Sequence, residues 1–233
     1  MKLLVSPSNV AEAKAAIEGG ADIIDMKNPK EGSLGANFPW VIKEIKSILP
    51  SGVELSATLG DLNFKPGTAS LAAYGAASLG VDYIKAGFFG IDSKKKAEEL
   101  ASKISKAVQN FDVRIVLAGY ADYREIDAIP PFILPEVASR AGAHVVMIDT
   151  ARKEGSGLLD YLSVRELEKF IQLAHGHNLK AALAGSLKIG DVNLLKNTGV
   201  DIVGVRSLVC IGDRINGSIS AKKVRELKEF LRR

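Results

Sequence analysis

Four short apolar segments of this chain end in ionisable side chains: Lys27, Lys85, Asp149 and Arg206. A charge at the end of a buried segment is costly unless it has a partner or a task. Asp25 and Lys27 are two residues apart, as are Tyr83 and Lys85, and in an extended chain each such pair shares a face. If those faces turn toward one interior, two lysines and one or two aspartates converge on a small volume. A free lysine has a pKa of ~10.4 and is protonated at neutral pH. Desolvation and a second ammonium nearby both disfavour its charged form. A neutral amine made this way attacks an aldehyde or ketone to give an iminium ion, which acidifies the adjacent C–H. Deprotonation then yields an enamine that attacks a second carbonyl, with the companion lysine or Asp25 moving the protons. A rim salt bridge is the competing explanation for any one of these residues. Two lysines, Lys27 and Lys85, at the ends of two such segments favour a shared site.

A second group of residues suits an anion. Gly185-Ser186 and the stretch RSLVCIGDRINGS, from Arg206 to Ser218, follow the last two apolar segments. The glycine lets backbone N–H groups approach a phosphate closely, Ser186 and Ser207 lie beside them, and Arg206 or Arg214 adds charge. Other chemistry is poorly supported. His175 and His177 flank Gly176 at a helix end and suit a C-terminal cap, so no metal site is expected. His144 begins an apolar run, Cys210 has no histidine within sequence reach and reads as a packed thiol, and Trp40 reads as a packing residue at a helix start.

These residues need a scaffold that brings segment ends together. Eight short apolar runs alternate with amphipathic stretches: Leu3 to Ser6, Asp22 to Lys27, Val53 to Gly60, Asp82 to Gly87, Arg114 to Tyr120, His144 to Asp149, Lys180 to Gly185 and Asp201 to Arg206. Each is too short for a buried helix and is bounded by glycine or polar residues. Between them, Ser8 or Asn9, Ser93, Ser163 (with Glu166 for a capping box) and Ser220 mark helix starts, and Gly19-Gly20 ends the first helix. The junctions GGADIID, LGVDYIK, AGAHVVMID and TGVDIVGVR resemble one another and recur every ~60 residues, picking out runs two, four, six and eight. The odd runs share small residues followed by glycine: ATLG, LAGY, ALAG. Alternation of this kind suits a closed barrel, whose interior layers come from alternate strands, better than an open doubly wound sheet. The expected architecture is a single (β/α)₈ (TIM) barrel over residues 1–233, with its working residues at the C-terminal strand ends.

Bulk properties agree. Hydrophobic residues make up 47% of the chain and aromatics 6%, so the core is aliphatic, as suits parallel strands buried on both faces. The net charge of +4 is mild and spread out, and Lys94, Lys95 and Lys96, the one basic run, read as a solvated helix face. No basic stripe with aromatics points to nucleic acid. The start, MKLLVSPSNVAEA, has too short an apolar run for a signal peptide, no stretch is long enough to span a membrane, and a single cysteine excludes an internal disulfide. A cytoplasmic protein is expected, and homo-oligomerisation is left open.

The stretch VSPSNVAEAKAAIEGGADIIDMKNPKEGSLGANFPWVI closely resembles the (5-formylfuran-3-yl)methyl phosphate synthases, which supply the furan of methanofuran. The likeness continues through SATLGDLNFKPGTASLAAYGAA, DYIKAG, AGYAD, MIDTARKEG, ALAGSL and DIVGVR, essentially the whole chain. The last loop departs from it, with SLVCIGDR in place of a more Gly- and Ala-rich run. The resemblance implies a lyase that condenses two glyceraldehyde 3-phosphate molecules into a phosphorylated furan aldehyde, losing phosphate and water, without cofactor. It implies Lys27 as the Schiff-base lysine, Lys85 as proton acceptor, and Asp149 and Lys153 as supporting acid–base groups. The lysines alone also suit another class I aldolase of triose phosphates, or a barrel that only binds a sugar phosphate.

Overall fold

The strands form where β-branched and aliphatic runs meet glycine or polar punctuation. In a computed structural model describing residues 1–153 and 155–232, they are β1 (Lys2–Val5), β2 (Ile23–Met26), β3 (Glu54–Asp61), β4 (Tyr83–Gly87), β5 (Arg114–Tyr120), β6 (Val145–Asp149), β7 (Lys180–Leu183) and β8 (Ile202–Val205). Each overlaps its expected run. All pairings are parallel, and β1 pairs with both β2 and β8, so the sheet closes into a barrel and the open-sheet alternative falls.

The helices are α1 (Val10–Glu18), α2 (Pro39–Ile48), α3 (Pro66–Ala77), α4 (Lys94–Val108), α5 (Leu134–Ala141), the short α6 (Leu158–Tyr161), α7 (Val164–Gly176), α8 (Ile189–Leu195) and α9 (Ala221–Arg232). Asn9, rather than Ser8, caps α1 by accepting from Glu12 N at 2.9 Å. Ser93 caps α4, and Ser163 with Glu166 forms the expected capping box on α7. His177 is the C-cap residue of α7, while His175 Nε2 lies 2.9 Å from Asp201 Oδ2. Lys94 and Lys96 sit at the start of α4 in surface ion pairs with Glu136 and Asp92. Trp40 corrects an expectation. It is 67% exposed and stacks on exposed Phe38, with ring centroids 4.8 Å apart, rather than packing inward. Position two of α2 faces solvent, and Ile42 and Ile45 carry the inward face instead.

The repeated junctions have a physical basis. Asp22 donates its N–H to Leu3 O at 2.9 Å and accepts from Leu3 N on Oδ2 at 2.7 Å. Asp82 does the same to Leu55, Asp201 to Ala181, and His144, through Nδ1, to Ile115. Each even strand is thus pinned to the preceding odd strand at the same level. Counting from these four anchors places the interior side chains in layers. One residue on come Ile23, Tyr83, Val145 and Ile202, all buried in the barrel's inner cluster. Three residues on come Asp25, Lys85, Met147 and Gly204, and five residues on come Lys27, Gly87, Asp149 and Arg206. The chemistry-bearing residues therefore occupy the middle and upper layers of the even strands.

Candidate active site

Small side chains make room for the lysines. Ala118, Ala184 and Gly204 line the upper interior where larger residues would fill it. Lys85 is 1% exposed, and its Nζ lies 2.6 Å from Asp25 Oδ2. Asp25 is wholly buried. Ser56 Oγ donates to its Oδ1 at 2.7 Å and Ser6 Oγ to its Oδ2 at 3.1 Å. Burial pushes the Asp25 carboxyl up, but the Lys85 and Lys27 ammoniums and these donors outweigh it and hold it below the ordinary value. Across the mouth, Asp149 accepts from its own neighbour's Thr150 N at 2.8 Å and pairs with the Lys153 ammonium, which also donates to Thr150 Oγ1 at 3.1 Å. Burial raises this carboxyl too, yet Lys153 and Lys27 bring it to about 2. Burial lowers the pKa of Lys153 against the opposing pull of Asp149.

Lys27 stands apart. It lies one residue beyond β2 and is 5% exposed, and among the described residues no carboxylate pairs with its amine. Desolvation dominates; Asp149 pulls the pKa back up, Lys153 and Lys85 push it down, and it settles at about 7. Lys27, Lys85, Asp149 and Lys153 line a single cleft of about 440 Å³ at the C-terminal barrel mouth. Asp25 sits behind Lys85 rather than in the cleft wall. The expected groups therefore converge. The arrangement offers one lysine amine without a carboxylate partner among the described residues, flanked by two carboxylate–ammonium pairs.

The far wall of the cleft carries the expected anion-binding segments, Gly185, Ser186, Arg206 and Ser207. A side chain at Gly185 (φ +117°) would lie 2.9 Å from Thr150 Cγ2 and 3.1 Å from its N, so only glycine fits. Ser186 holds a φ of +48°, uncommon for a residue with a side chain. The part expected of Arg206 changes. Its guanidinium donates to Glu12 Oε2 and Oε1 at 2.8 and 3.1 Å, to Ser6 O at 2.8 Å and to Arg214 O at 2.7 Å. Its charge is thus neutralised by Glu12, in the first turn of α1. Arg214 is the cleft arginine without an acidic partner among the described residues. It lies between β9 (Cys210–Ile211) and β10 (Ser218–Ile219), a small antiparallel pair beyond β8.

Comparison with known proteins identifies the family. A family model described as 4-HFC-P synthase matches residues 3–228. The chain belongs to the 4-HFC-P synthase family. The (5-formylfuran-3-yl)methyl phosphate synthase of Methanosarcina barkeri is 52% identical over 229 residues, covering 97% of each chain, and that of Methanocaldococcus jannaschii is 52% identical over 233 residues, covering 99% of each. Among solved structures, phosphoribosyl anthranilate isomerase from Thermus thermophilus (TM-score 0.67, 16% identity, 100% of this chain and 98% of that one) and 3-hexulose-6-phosphate synthase (0.63, 18%, 97% and 99%) share the fold.

In this 4-HFC-P synthase family member, several supporting residues carry no sequence signal of their own. Glu12 looks like an ordinary first-turn carboxylate. Asp122, fully buried beyond β5, accepts from Ala151 N and Arg152 N, both at 2.8 Å, and so positions the segment bearing Lys153. Asn37 Nδ2 donates to Lys27 O at 3.2 Å and to Ser8 O at 2.9 Å. Burial raises the pKa of Cys210, in keeping with a packed thiol. No described helix is long and apolar enough to cross a membrane.

Proposed function

We propose that this protein condenses two molecules of glyceraldehyde 3-phosphate into (5-formylfuran-3-yl)methyl phosphate, releasing phosphate and water, through a Schiff base on Lys27. The observation that carries this reading is the Lys27 amine, buried, without a carboxylate partner among the described residues and lowered to about 7, in a cleft whose other two lysines are each paired with an aspartate. At neutral pH about half of such an amine is uncharged and nucleophilic. One triose phosphate is enolised toward its ketone isomer and held as the Lys27 iminium. Lys85 and Asp25 act as one unit: the carboxylate accepts a proton and the ammonium supplies one. The resulting enamine attacks the second aldehyde, while Asp149 and Lys153 serve the later proton transfers that accompany phosphate elimination and dehydration. Substrate phosphate, with about two negative charges, lies against Gly185, Ser186 and Ser207 with Arg214 beside it. Family membership supports the synthase over another aldolase of triose phosphates.

The test uses glyceraldehyde 3-phosphate alone. A furan aldehyde chromophore is expected with the native protein and is expected to be absent with Lys27→Ala. Borohydride reduction during turnover, followed by peptide mass spectrometry, is expected to fix substrate carbon on Lys27. An aldol product without a chromophore would move the assignment to another class I aldolase. An unmodified Lys27 would end the Schiff-base reading.

A further inference from the structure

The segment immediately after Lys27 crosses the barrel mouth. It leaves β2 and reaches β6, four strands away in an eight-strand ring, where Ser33 Oγ donates to Thr150 O at 2.7 Å in a buried contact. One residue further on, Leu34 dips into the barrel, is fully buried, and joins the inner cluster with Leu4, Ile23 and Tyr120. Thr58 Oγ1 donates to Gly35 O at 2.7 Å. The segment thus forms a roof beside the cleft that holds Lys27.

One attachment stands out because several local features converge on it. Asp61, the last residue of β3, accepts on Oδ2 from the roof's Leu34 N at 3.2 Å and on Oδ1 from the buried Tyr120 hydroxyl at the end of β5. The β3–β4 register shifts between Thr58 and Asp61, and Gly60 there has φ +112°, a bulge that re-aims the strand end. Gly87 faces this pair. A Cβ on it would fall 2.2 Å from Tyr120 Oη and 3.1 Å from Asp61 Oδ1. Gly32 in the roof is equally constrained, with a Cβ position 2.2 Å from Asp61 Oδ2. Three glycines and a bulge accommodate one carboxylate–phenol pair that does not line the cleft.

We propose that Asp61 and Tyr120 are positioning residues: together they latch the 28–38 roof across the barrel mouth and so keep water from the Lys27 amine. The inference rests on the Schiff-base reading above. The charged groups facing Lys27 are Asp25 from its own strand, Lys85 from β4, Asp149 and Lys153 from β6 and its following loop, and Arg206 and Arg214 from the far wall. None of these groups belongs to the 28–38 roof itself, so the change expected when the roof loosens is one of hydration. A hydrated Lys27 holds its proton more strongly.

The experiment measures the Lys27 titration directly, by competitive acetylation with acetic anhydride across pH and peptide mass spectrometry, on native protein, Tyr120→Phe and Ser33→Ala. Tyr120→Phe removes the hydroxyl but no charge. Ser33→Ala removes only the far tether and covers the case in which the phenol variant does not fold. In each folded variant the midpoint is expected to rise by about one pH unit, which takes the neutral amine at pH 7 from about one half to about one tenth. Borohydride trapping with glyceraldehyde 3-phosphate at pH 7 should slow about fivefold, with kcat falling by a similar factor and KM nearly unchanged. A role confined to stability would lower the melting temperature and leave the midpoint where it was, and that result overturns the proposal. Native Lys27 titrating as an ordinary lysine would overturn both the nucleophile assignment and the latch; a native midpoint near 7 that does not move in the variants would overturn the latch alone.

Discussion

Three lysines and two aspartates meet at the barrel mouth, one ammonium more than the carboxylates can match. Lys85 takes Asp25 and Lys153 takes Asp149, which leaves Lys27 without a carboxylate partner among the described residues; burial first, and the neighbouring ammoniums second, bring its pKa to about 7. The same imbalance makes Lys27 a burden on the fold. Its pKa is about 7 when folded and near the ordinary ~10.4 when unfolded, so between those values the unfolded chain binds more protons. The penalty is therefore fully present below pH 7 and fades as pH rises toward 10. Lys27→Met is expected to abolish turnover and yet stabilise the protein at pH 6, by a few kcal/mol as an upper estimate, with the gain shrinking by pH 9.5. Urea unfolding at the two pH values measures it. A variant less stable than native at pH 6 would mean that Lys27 is charged and paired in the folded state.

At the scale of elements, the β8 end and the β9–β10 hairpin are organised by one ion pair. Arg206 ties Glu12 of α1, Ser6 beyond β1 and the peptide of Arg214 together, and Ser6 in turn holds Asp25. Lysine at 206 keeps the charge but cannot supply the planar set of donors. Arg206→Lys should raise KM for the proposed substrate, glyceraldehyde 3-phosphate, about tenfold, the worth of roughly one charge-assisted hydrogen bond, because Arg214 loses its anchor. Steady-state kinetics check this, and an unaltered KM would show that the hairpin holds itself. This element also marks where sequence reading stops. The strands were legible because aliphatic runs and junction repeats recur along the chain, and the pairs Asp25/Lys27 and Tyr83/Lys85 because period two is local. Arg206 was visible as a charge at a strand end, but its partner is 194 positions away in an unremarkable helix turn. Trp40 misled for a related reason: a large aromatic at a helix start predicts packing only when the side facing the core is known, and that depends on how α2 docks.

Across the whole molecule the two ends of the barrel have separate work. Asp22, Asp82, His144 and Asp201 pin the N-terminal ends of neighbouring strands, and three of them also face a basic side chain on an outer helix, Lys228, Lys46 and His175 respectively for Asp22, Asp82 and Asp201. The groups proposed for catalysis lie three and five residues beyond these anchors, in higher layers. The four anchors themselves do not line the cleft, so they bear on the register of these strands and not on the cleft's charges. Asp82→Ala removes the acceptor for Leu55 N and should cost about 1–2 kcal/mol for the unmade hydrogen bond, while kcat and KM stay at native values. Combined with Lys27→Met, its effect on stability should add to that of the single change within about 0.5 kcal/mol, as for sites that share no partners. Unfolding of the two single variants and the double variant at pH 6 closes the cycle. A coupling well above that margin would mean that the lower ring sets the height or desolvation of Lys27, and that stability and chemistry are not divided between the two ends of this barrel.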